Sequence, residues 1–167
     1  YQFLVNAEDA KVVEYLKRLT FLDKEEIERL EECVKNEPHL REAQKVLGRE
    51  VVTFLHGSDA YETALKITNA LFRGNIRELS ADEQRDALSS MEKVQVSEAM
   101  DLASTLVSAK IASSKREARE WIKSGSIQIN GEKVQDETRV IDASSALVDD
   151  MILIKRGKRN YYVLTFA

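Results

Sequence analysis

The stretch that decides the fold is Ser113-Ser-Lys-Arg-Glu-Ala-Arg-Glu-Trp-Ile-Lys-Ser-Gly-Ser-Ile-Gln-Ile-Asn-Gly-Glu-Lys-Val134. Its serine pair and the acidic Glu117 form a capping-box pattern that starts a helix, and Gly125 is placed to end it. The residues that follow alternate between apolar and polar, which predicts two strands, and Asn130-Gly131 between them is the strongest short signal for a hairpin. The stretch therefore predicts a helix followed directly by a β-hairpin.

The sequence on either side extends this pattern. Upstream, Ser97 precedes a helical pattern of apolar residues that includes Leu102. Downstream, apolar runs that begin at Met151 and Tyr161 flank a basic turn and predict a second hairpin. Residues 98–167 are therefore expected to form a small α+β domain in which two helices precede a compact, mostly antiparallel sheet.

The N-terminal part is built from helices instead. In residues 1–90 apolar side chains recur at helical spacing, which predicts an all-α domain. From Met91 to Ser97 the sequence alternates like an extended segment, and we interpret 91–97 as a linker to the α+β domain at 98–167. The predicted helices begin or end at cap and turn residues, namely Asp23, Pro38, Gly57 and Ser80.

Composition is typical of a soluble, folded protein. The chain has 167 residues, of which 43% are hydrophobic and 32% charged, enough for one ordinary domain or two small ones. No apolar run approaches the roughly 20 residues that span a bilayer, so no membrane partner is expected. A single cysteine, Cys33, forms no internal disulfide, and the chain opens without an initiator Met or a signal-peptide pattern. We therefore expect a cytoplasmic protein that is a piece of a longer chain.

Positive charge is grouped in the C-terminal part, although the whole chain has a formal net charge of −4. Residues 1–96 carry 14 Lys and Arg against 19 Asp and Glu, whereas residues 97–167 carry 11 against 10. Grouping matters because a phosphate backbone responds to local charge. The predicted RNA-binding residues are Ser114, Lys115, Arg116, Arg119, Lys123 and Lys133 in a first group, and Lys155, Arg156, Lys158 and Arg159 in a second.

The first group has the chemistry of a phosphate site. Most of its cations share one face of the predicted helix, at whose start Ser114 offers a hydroxyl beside backbone N–H groups at the positive end of the helix dipole. The second group crowds four cations around Gly157 in one tight turn. Either group alone favours a merely solvated surface. Two such groups in one small domain favour contact with a nucleic-acid backbone.

The sequence predicts no catalytic residue, no metal ligand and no cofactor in this chain. His39 and His56 lack a cysteine or carboxylate pattern suited to zinc, and Cys33 follows two glutamates, which does not suit a catalytic thiol. The six glycines fall at turns or helix ends and form no phosphate-binding loop. Trp121 has the ring to stack on a base, but it is expected in the core because it lies beside Ile122 on a helix that packs on the sheet.

The opening stretch resembles an RNA-binding module first known from ribosomal small-subunit protein four. The shared features are the basic start of the helix, the pair Ala118-Arg119, Gly125 and the segment Ile129-Asn-Gly-Glu-Lys-Val134. This resemblance implies a helix pair and a small sheet that grip structured RNA with the second helix and the neighbouring strands. Pseudouridine synthases and stress proteins also carry the module, so it implies RNA binding in a broad sense.

The first part of the chain resembles bacterial tyrosyl-tRNA synthetases, segment by segment and in the same order. This resemblance implies that residues 1–90 are a helical anticodon-binding domain, joined by the linker to an RNA-binding domain. With the module it covers essentially the whole chain. The segments that carry it are Tyr1–Phe3, Tyr15–Leu22, Lys24–Glu28, Arg41–Lys45, Val51–Gly57 and Ala70–Leu79.

The resemblance implies a role in aminoacylation. The chain would be the tRNA-recognition portion of a tyrosine–tRNA ligase and would bind the anticodon stem-loop and long variable arm of tRNA-Tyr for an N-terminal catalytic domain. ATP and Mg²⁺ would belong to that parent enzyme, which is implied to be a homodimer through its catalytic domain. The portion in hand is expected to be monomeric and to have no enzymatic activity alone. The family's tRNA contacts match Arg116, Arg119, Lys155, Arg156, Lys158 and Arg159.

Other functions stay open at this point. The acidic helical part favours a protein-interaction adaptor that carries the small domain as a passenger. A general binder of structured RNA, including one with a regulatory or splicing role, also fits the module. An independent enzyme is the least favoured alternative because the sequence offers no site for one.

Overall fold

A computed structural model of the chain describes residues 1–157 and 160–166. Two of the predicted RNA-binding residues, Lys158 and Arg159, lie outside the described residues. The chain divides into two compact units, residues 1–68 and 69–167.

The first unit consists of helices whose apolar faces share one core. Fully buried side chains from three helices, among them Leu16, Leu30 and Leu47, pack together at its centre. The carboxylate of Asp23 accepts a hydrogen bond from the backbone N–H of Glu26 (2.8 Å), so the predicted cap is confirmed. The helices are α1 (Gln2–Val5), α2 (Asp9–Leu19), α3 (Lys24–Asn36), α4 (Glu42–His56) and α5 (Ser58–Arg73), whose last turn belongs to the second unit.

The helix expected to begin at Pro38 is interrupted. Pro38–Leu40 form a single 3-10 turn, and Arg41 then adopts a left-handed conformation (φ 52°), so that α4 begins at Glu42. The guanidinium of Arg41 donates hydrogen bonds to the carbonyl oxygens of Val5 and Ala7 (2.9 and 2.8 Å). The expectation of one continuous helix from Pro38 was therefore wrong, because a contact to a distant segment fixes Arg41 outside helical geometry.

The second unit is an α+β structure built on a five-stranded sheet. Its strand order is β1-β7-β6-β3-β4, with β1 and β7 parallel and the other neighbours antiparallel, which confirms the predicted mostly antiparallel sheet. Two short strands, β2 and β5, pair separately. The elements are α6 (Ala81–Ser89), β1 (Lys93–Val96), β2 (Met100–Asp101), α7 (Leu102–Ser108), α8 (Lys115–Lys123), β3 (Ile127–Ile129), β4 (Glu132–Lys133), β5 (Val140–Ile141), β6 (Met151–Arg156) and β7 (Asn160–Phe166).

The segment interpreted as a linker contributes an edge strand to this sheet. Its extended conformation is confirmed, because β1 pairs in parallel with β7 and buries Val96 in the core of the second unit. The division of the chain into domains at 91–97 stays a prediction. The helix expected directly after Ser97 begins only at Leu102, where the carboxylate of Asp101 caps it by accepting a hydrogen bond from Ser104 N (3.0 Å).

Helix α8 and the hairpin that follows it match the sequence pattern. Asn130 and Gly131 both have positive φ angles (50° and 88°), as a two-residue type I′ turn requires. Ala118 and Ile122 of α8 are fully buried against the sheet. The opposite side of α8 is left to solvent and carries the predicted cations.

Candidate nucleic-acid interface

The start of α8 is capped from within the protein. The hydroxyl of Ser114 accepts a hydrogen bond from the backbone N–H of Glu117 (3.3 Å). The carboxylate of Glu117 in turn accepts from the backbone N–H and the hydroxyl of Ser113, both at 2.7 Å. These bonds, the one from the hydroxyl foremost, hold the pKa of Glu117 below its ordinary value. The cap thus uses the hydroxyl oxygen of Ser114 as an acceptor, and the O–H of the same group is still able to donate to a phosphate.

The cations of α8 form one exposed arc. Lys115, Arg116, Arg119 and Lys123 are all exposed, and 90% of the Arg116 side chain is accessible to solvent. At ~100° per residue the four positions fall within about 100° of the helix circumference. The buried Ala118 and Ile122 anchor the helix on the sheet, so the arc is presented to solvent by a fixed element. This surface is called the α8 arc below.

Acidic side chains accompany three of these four cations. Arg116 Nε lies 3.3 Å from Glu120 Oε1, one turn along the helix. Arg119 Nε and Lys123 Nζ lie 3.6 and 3.7 Å from the same atom, Oε2 of Glu137. The positive charge of the α8 arc is therefore partly neutralised inside the protein.

Lys155 is buried and does not belong to the α8 arc. Its side chain is directed away from solvent, and the residue is only 6% exposed. The ammonium donates hydrogen bonds to the carbonyl oxygens of Leu71 (3.1 Å) and Phe72 (3.3 Å) at the end of α5, and it lies over the rings of Phe72 and Tyr161. The structure corrects the expectation that Lys155 faces a phosphate: this lysine caps a helix C-terminus.

Arg156 belongs to the surface but on the other flank of α8. Its guanidinium carbon lies 4.5 Å from the centroid of the Trp121 ring, a cation–π contact. Trp121 is half-buried and packs against the core, as expected from the sequence. Helical spacing sets Trp121 apart from Arg119 and Lys123 around the helix axis.

The sequence pattern predicted the cations of α8 but did not reveal that the Glu137 carboxylate lies close to Arg119 and Lys123. Glu137 lies in the loop between β4 and β5, and no local motif marks it as a neighbour of α8. The structure gathers the α8 arc on one helix, with Arg156 on the opposite flank and Lys155 inside. Lys133 is exposed on β4.

The described ranges 1–157 and 160–166 contain neither a metal-ligating cluster nor a membrane-spanning helix. Within them, no group of three or more His, Cys, Asp or Glu side chains is arranged to hold a metal ion. In the same residues, every helix is too short or too polar to cross a membrane.

Two known families match adjoining parts of the chain. Residues 1–73 match the family described as tRNA synthetases class I (W and Y), and residues 83–164 match the tyrosine–tRNA ligase SYY-like C-terminal domain. A solved solution structure of a tyrosyl-tRNA synthetase C-terminal domain is 37% identical and covers 57% of this chain and 98% of its own, with a TM-score of 0.45.

Curated relatives match over nearly the entire sequence. The tyrosine–tRNA ligase of Staphylococcus carnosus is 44% identical over 167 residues, which is 99% of this chain and 40% of that protein. The tyrosine–tRNA ligase of Macrococcus caseolyticus is 45% identical over 164 residues, 98% of this chain and 39% of that protein. The chain thus spans about two fifths of the length of these relatives. The chain belongs to the tyrosine–tRNA ligase family, and residues 83–164 correspond to its SYY-like C-terminal domain.

Proposed function

We propose that this chain is the tRNA-recognition portion of a tyrosine–tRNA ligase. In this role it binds the anticodon stem-loop and the long variable arm of tRNA-Tyr while an N-terminal catalytic domain aminoacylates that tRNA. The observation that carries the proposal is the α8 arc, four exposed cations on one helix within a stretch that matches the family's C-terminal domain. A helix that presents cations on a rigid base suits a phosphate backbone, because each contact releases condensed counterions.

The proposed RNA-binding surface differs from the predicted set in one respect. Lys155 is left out because its ammonium is buried and already donates to two carbonyl groups. Arg156 extends the surface past Trp121. The surface consists of Lys115, Arg116, Arg119, Lys123, Lys133 and Arg156, with Ser114 at the helix start, and Lys158 and Arg159 remain part of the proposal outside the described residues.

Catalysis is assigned to the longer protein. The parent ligase would use ATP and Mg²⁺ in the cytoplasm and would form its homodimer through the catalytic domain, whereas this portion is monomeric. What this chain contributes is the position of the tRNA.

A second candidate function rests on the first unit, which offers an exposed aromatic pair. Phe21 and Phe54 are 85% and 67% exposed, and their ring centroids lie 5.2 Å apart. Exposed aromatic side chains on an acidic helical unit favour an adaptor that binds a protein. The salt dependence of the tRNA affinity distinguishes the two functions, because phosphate recognition weakens steeply as the salt concentration rises.

The test is a titration of the chain with tRNA-Tyr and with a tRNA that lacks a long variable arm, at two salt concentrations. We expect a preference for tRNA-Tyr that weakens with salt. The double variant Arg116→Ala/Arg119→Ala should lose most of the affinity. The control Arg18→Ala/Lys35→Ala removes two exposed cations that also lie in i,i+4 ion pairs, and it should bind like the unchanged protein.

Each alternative predicts a different result. Equal, salt-sensitive affinity for both tRNAs favours a general binder of structured RNA. Weak binding that salt does not change favours the adaptor.

A further inference from the structure

Glu137 occupies the position between two cations of the α8 arc. One carboxylate oxygen, Oε2, lies 3.6 Å from Arg119 Nε and 3.7 Å from Lys123 Nζ. The two cations are more than half exposed, whereas the Glu137 side chain is 34% exposed. The Glu137 carboxylate is therefore an anion that already lies close to both Arg119 and Lys123.

This carboxylate oxygen is held without a hydrogen bond. Oε2 of Glu137 is buried from water and has no hydrogen-bond partner among the described residues. Both of its distances to the cations exceed the usual range for a hydrogen bond, so the attraction is that of charge alone. A buried acceptor without a donor is unfavourable, and water would satisfy it if the side chain moved outward.

The loop that carries Glu137 is fixed to the end of α8. Gln135 Nε2 donates to the carbonyl oxygen of Lys123 (3.2 Å). Asp136 Oδ1 accepts from both the backbone N–H and the hydroxyl of Thr138, at 2.9 and 2.7 Å. These bonds hold the backbone on either side of Glu137 and leave its side chain free to leave the cations by rotation.

We propose that Arg119 and Lys123 form a phosphate-binding site whose anionic position Glu137 fills in the free protein. RNA binding then replaces the carboxylate with a backbone phosphate, and this step rests on the proposed function above. A phosphate brings acceptors that take charge-assisted hydrogen bonds directly from Arg119, which the carboxylate does not make here. Glu137 thereby lowers the affinity of Arg119 and Lys123 for any polyanion. A phosphate displaces it when other contacts between the RNA and the protein already hold that phosphate in place.

The exchange has a measurable consequence for salt dependence. A carboxylate beside Arg119 and Lys123 offsets part of the positive charge with which they neutralise a phosphate, so fewer of the counterions condensed on the RNA are released. Removal of the Glu137 charge should therefore both tighten RNA binding and steepen its dependence on salt. A residue that merely supports the fold would change neither in this direction.

The first arm of the test uses inorganic phosphate and needs no RNA. Phosphate is titrated into the unchanged chain, Glu137→Gln and Glu137→Ala while the NMR signals of Arg119 Nε–H and the Lys123 ammonium are followed. We expect both variants to bind phosphate at these groups about twofold to fivefold more tightly, the range of a partly exposed ion pair. The control Glu98→Gln removes an exposed carboxylate elsewhere in the second unit and should match the unchanged chain. Equal responses in all four proteins overturn the proposal.

The second arm measures tRNA-Tyr affinity over a series of salt concentrations. We expect the slope of log affinity against log salt to steepen in Glu137→Gln by at most about 0.7 to 0.9, the contribution of one whole phosphate contact. If tRNA binds but the slope equals that of Glu98→Gln, RNA does not use this site and the proposal is overturned. If no protein binds tRNA, the proposed function fails, and the phosphate arm still decides whether Glu137 blocks an anion site.

Discussion

Lys155 and Arg156 are adjacent residues of β6 whose side chains leave opposite faces of the sheet. The Lys155 ammonium is buried against the carbonyl oxygens of Leu71 and Phe72, whereas the Arg156 guanidinium lies over Trp121. One step along a strand thus separates a structural cation from a surface cation. The basic run at the end of β6 does not act as one group.

Lys155→Met should lower the free energy of unfolding by about 1 to 3 kcal/mol, because it removes a buried donor from two carbonyl groups. Lys155→Arg should retain most of the stability, since a guanidinium also has several donors. Urea unfolding measures both, with Lys133→Met as the exposed control. A Lys155→Met protein of unchanged stability that binds tRNA more weakly would return Lys155 to the phosphate-binding surface.

Glu117 should give the folded state a pH dependence. Hydrogen bonds from the hydroxyl and then the backbone of Ser113 hold its pKa below the ordinary value of 4.5. Because the folded-state pKa is depressed, the stabilisation is fully present above pH 4.5 and is lost as the pH falls through the folded pKa. We predict that Glu117→Gln is less stable than the unchanged chain at neutral pH and that the two converge in acid. Thermal unfolding across this range measures the gap, and a gap that stays constant contradicts the prediction.

At the scale of elements, the sequence pattern correctly predicted those helix starts and turns that depend on contacts between neighbouring residues. The cap of α8 and the turn of the β3–β4 hairpin depend on residues within a few positions of one another, and both match the sequence pattern. The start of α7 differs, because β2 pairs with β5 far along the chain and delays the helix. The same limit applies to the site: the cations of α8 were predictable, but Lys155 bonds to a residue 84 positions away.

The β3–β4 hairpin is tied to its surroundings by the side chain of Asn130, which is 1% exposed. Its amide donates to the carbonyl oxygen of Ser145 (2.7 Å), and its side-chain oxygen accepts from the backbone N–H of Leu153 (2.9 Å). Asn130→Ala should cost about 2 to 4 kcal/mol, because it removes the side-chain partners of the buried Leu153 N–H and of the half-buried Ser145 carbonyl group. It also puts alanine at a positive φ, which adds roughly 1 kcal/mol of strain.

Asn130→Gly separates the two effects, since glycine tolerates the positive φ but lacks the amide. Urea unfolding should rank the proteins as unchanged chain, glycine variant and alanine variant, in falling order of stability. If glycine restores the full stability, the backbone conformation alone sets the cost and the amide bonds contribute nothing.

At the scale of the whole molecule, the second unit begins before the predicted linker. The end of α5 supplies the carbonyl groups that Lys155 binds. Farther along, Arg77 Nε lies 3.4 Å from Glu132 Oε1, and Arg85 pairs with Asp149. Residues 69–90 are therefore held to the α+β structure by contacts within one compact unit.

This arrangement predicts how shortened chains behave. Residues 69–167 retain all of these contacts, residues 91–167 lose α6 and the end of α5, and residues 98–167 also lose β1. Removal of β1 takes Val96 out of the core and leaves the parallel edge of β7 unpaired, where exposed strand edges favour association. We expect stability in urea to fall in that order, and the shortest chain to show poor dispersion in its NMR spectrum. Residues 98–167 would contradict this expectation if they unfolded cooperatively at the same urea concentration as residues 69–167. The end of α5, α6 and β1 would then be dispensable for folding, and the domain boundary would lie at 91–97.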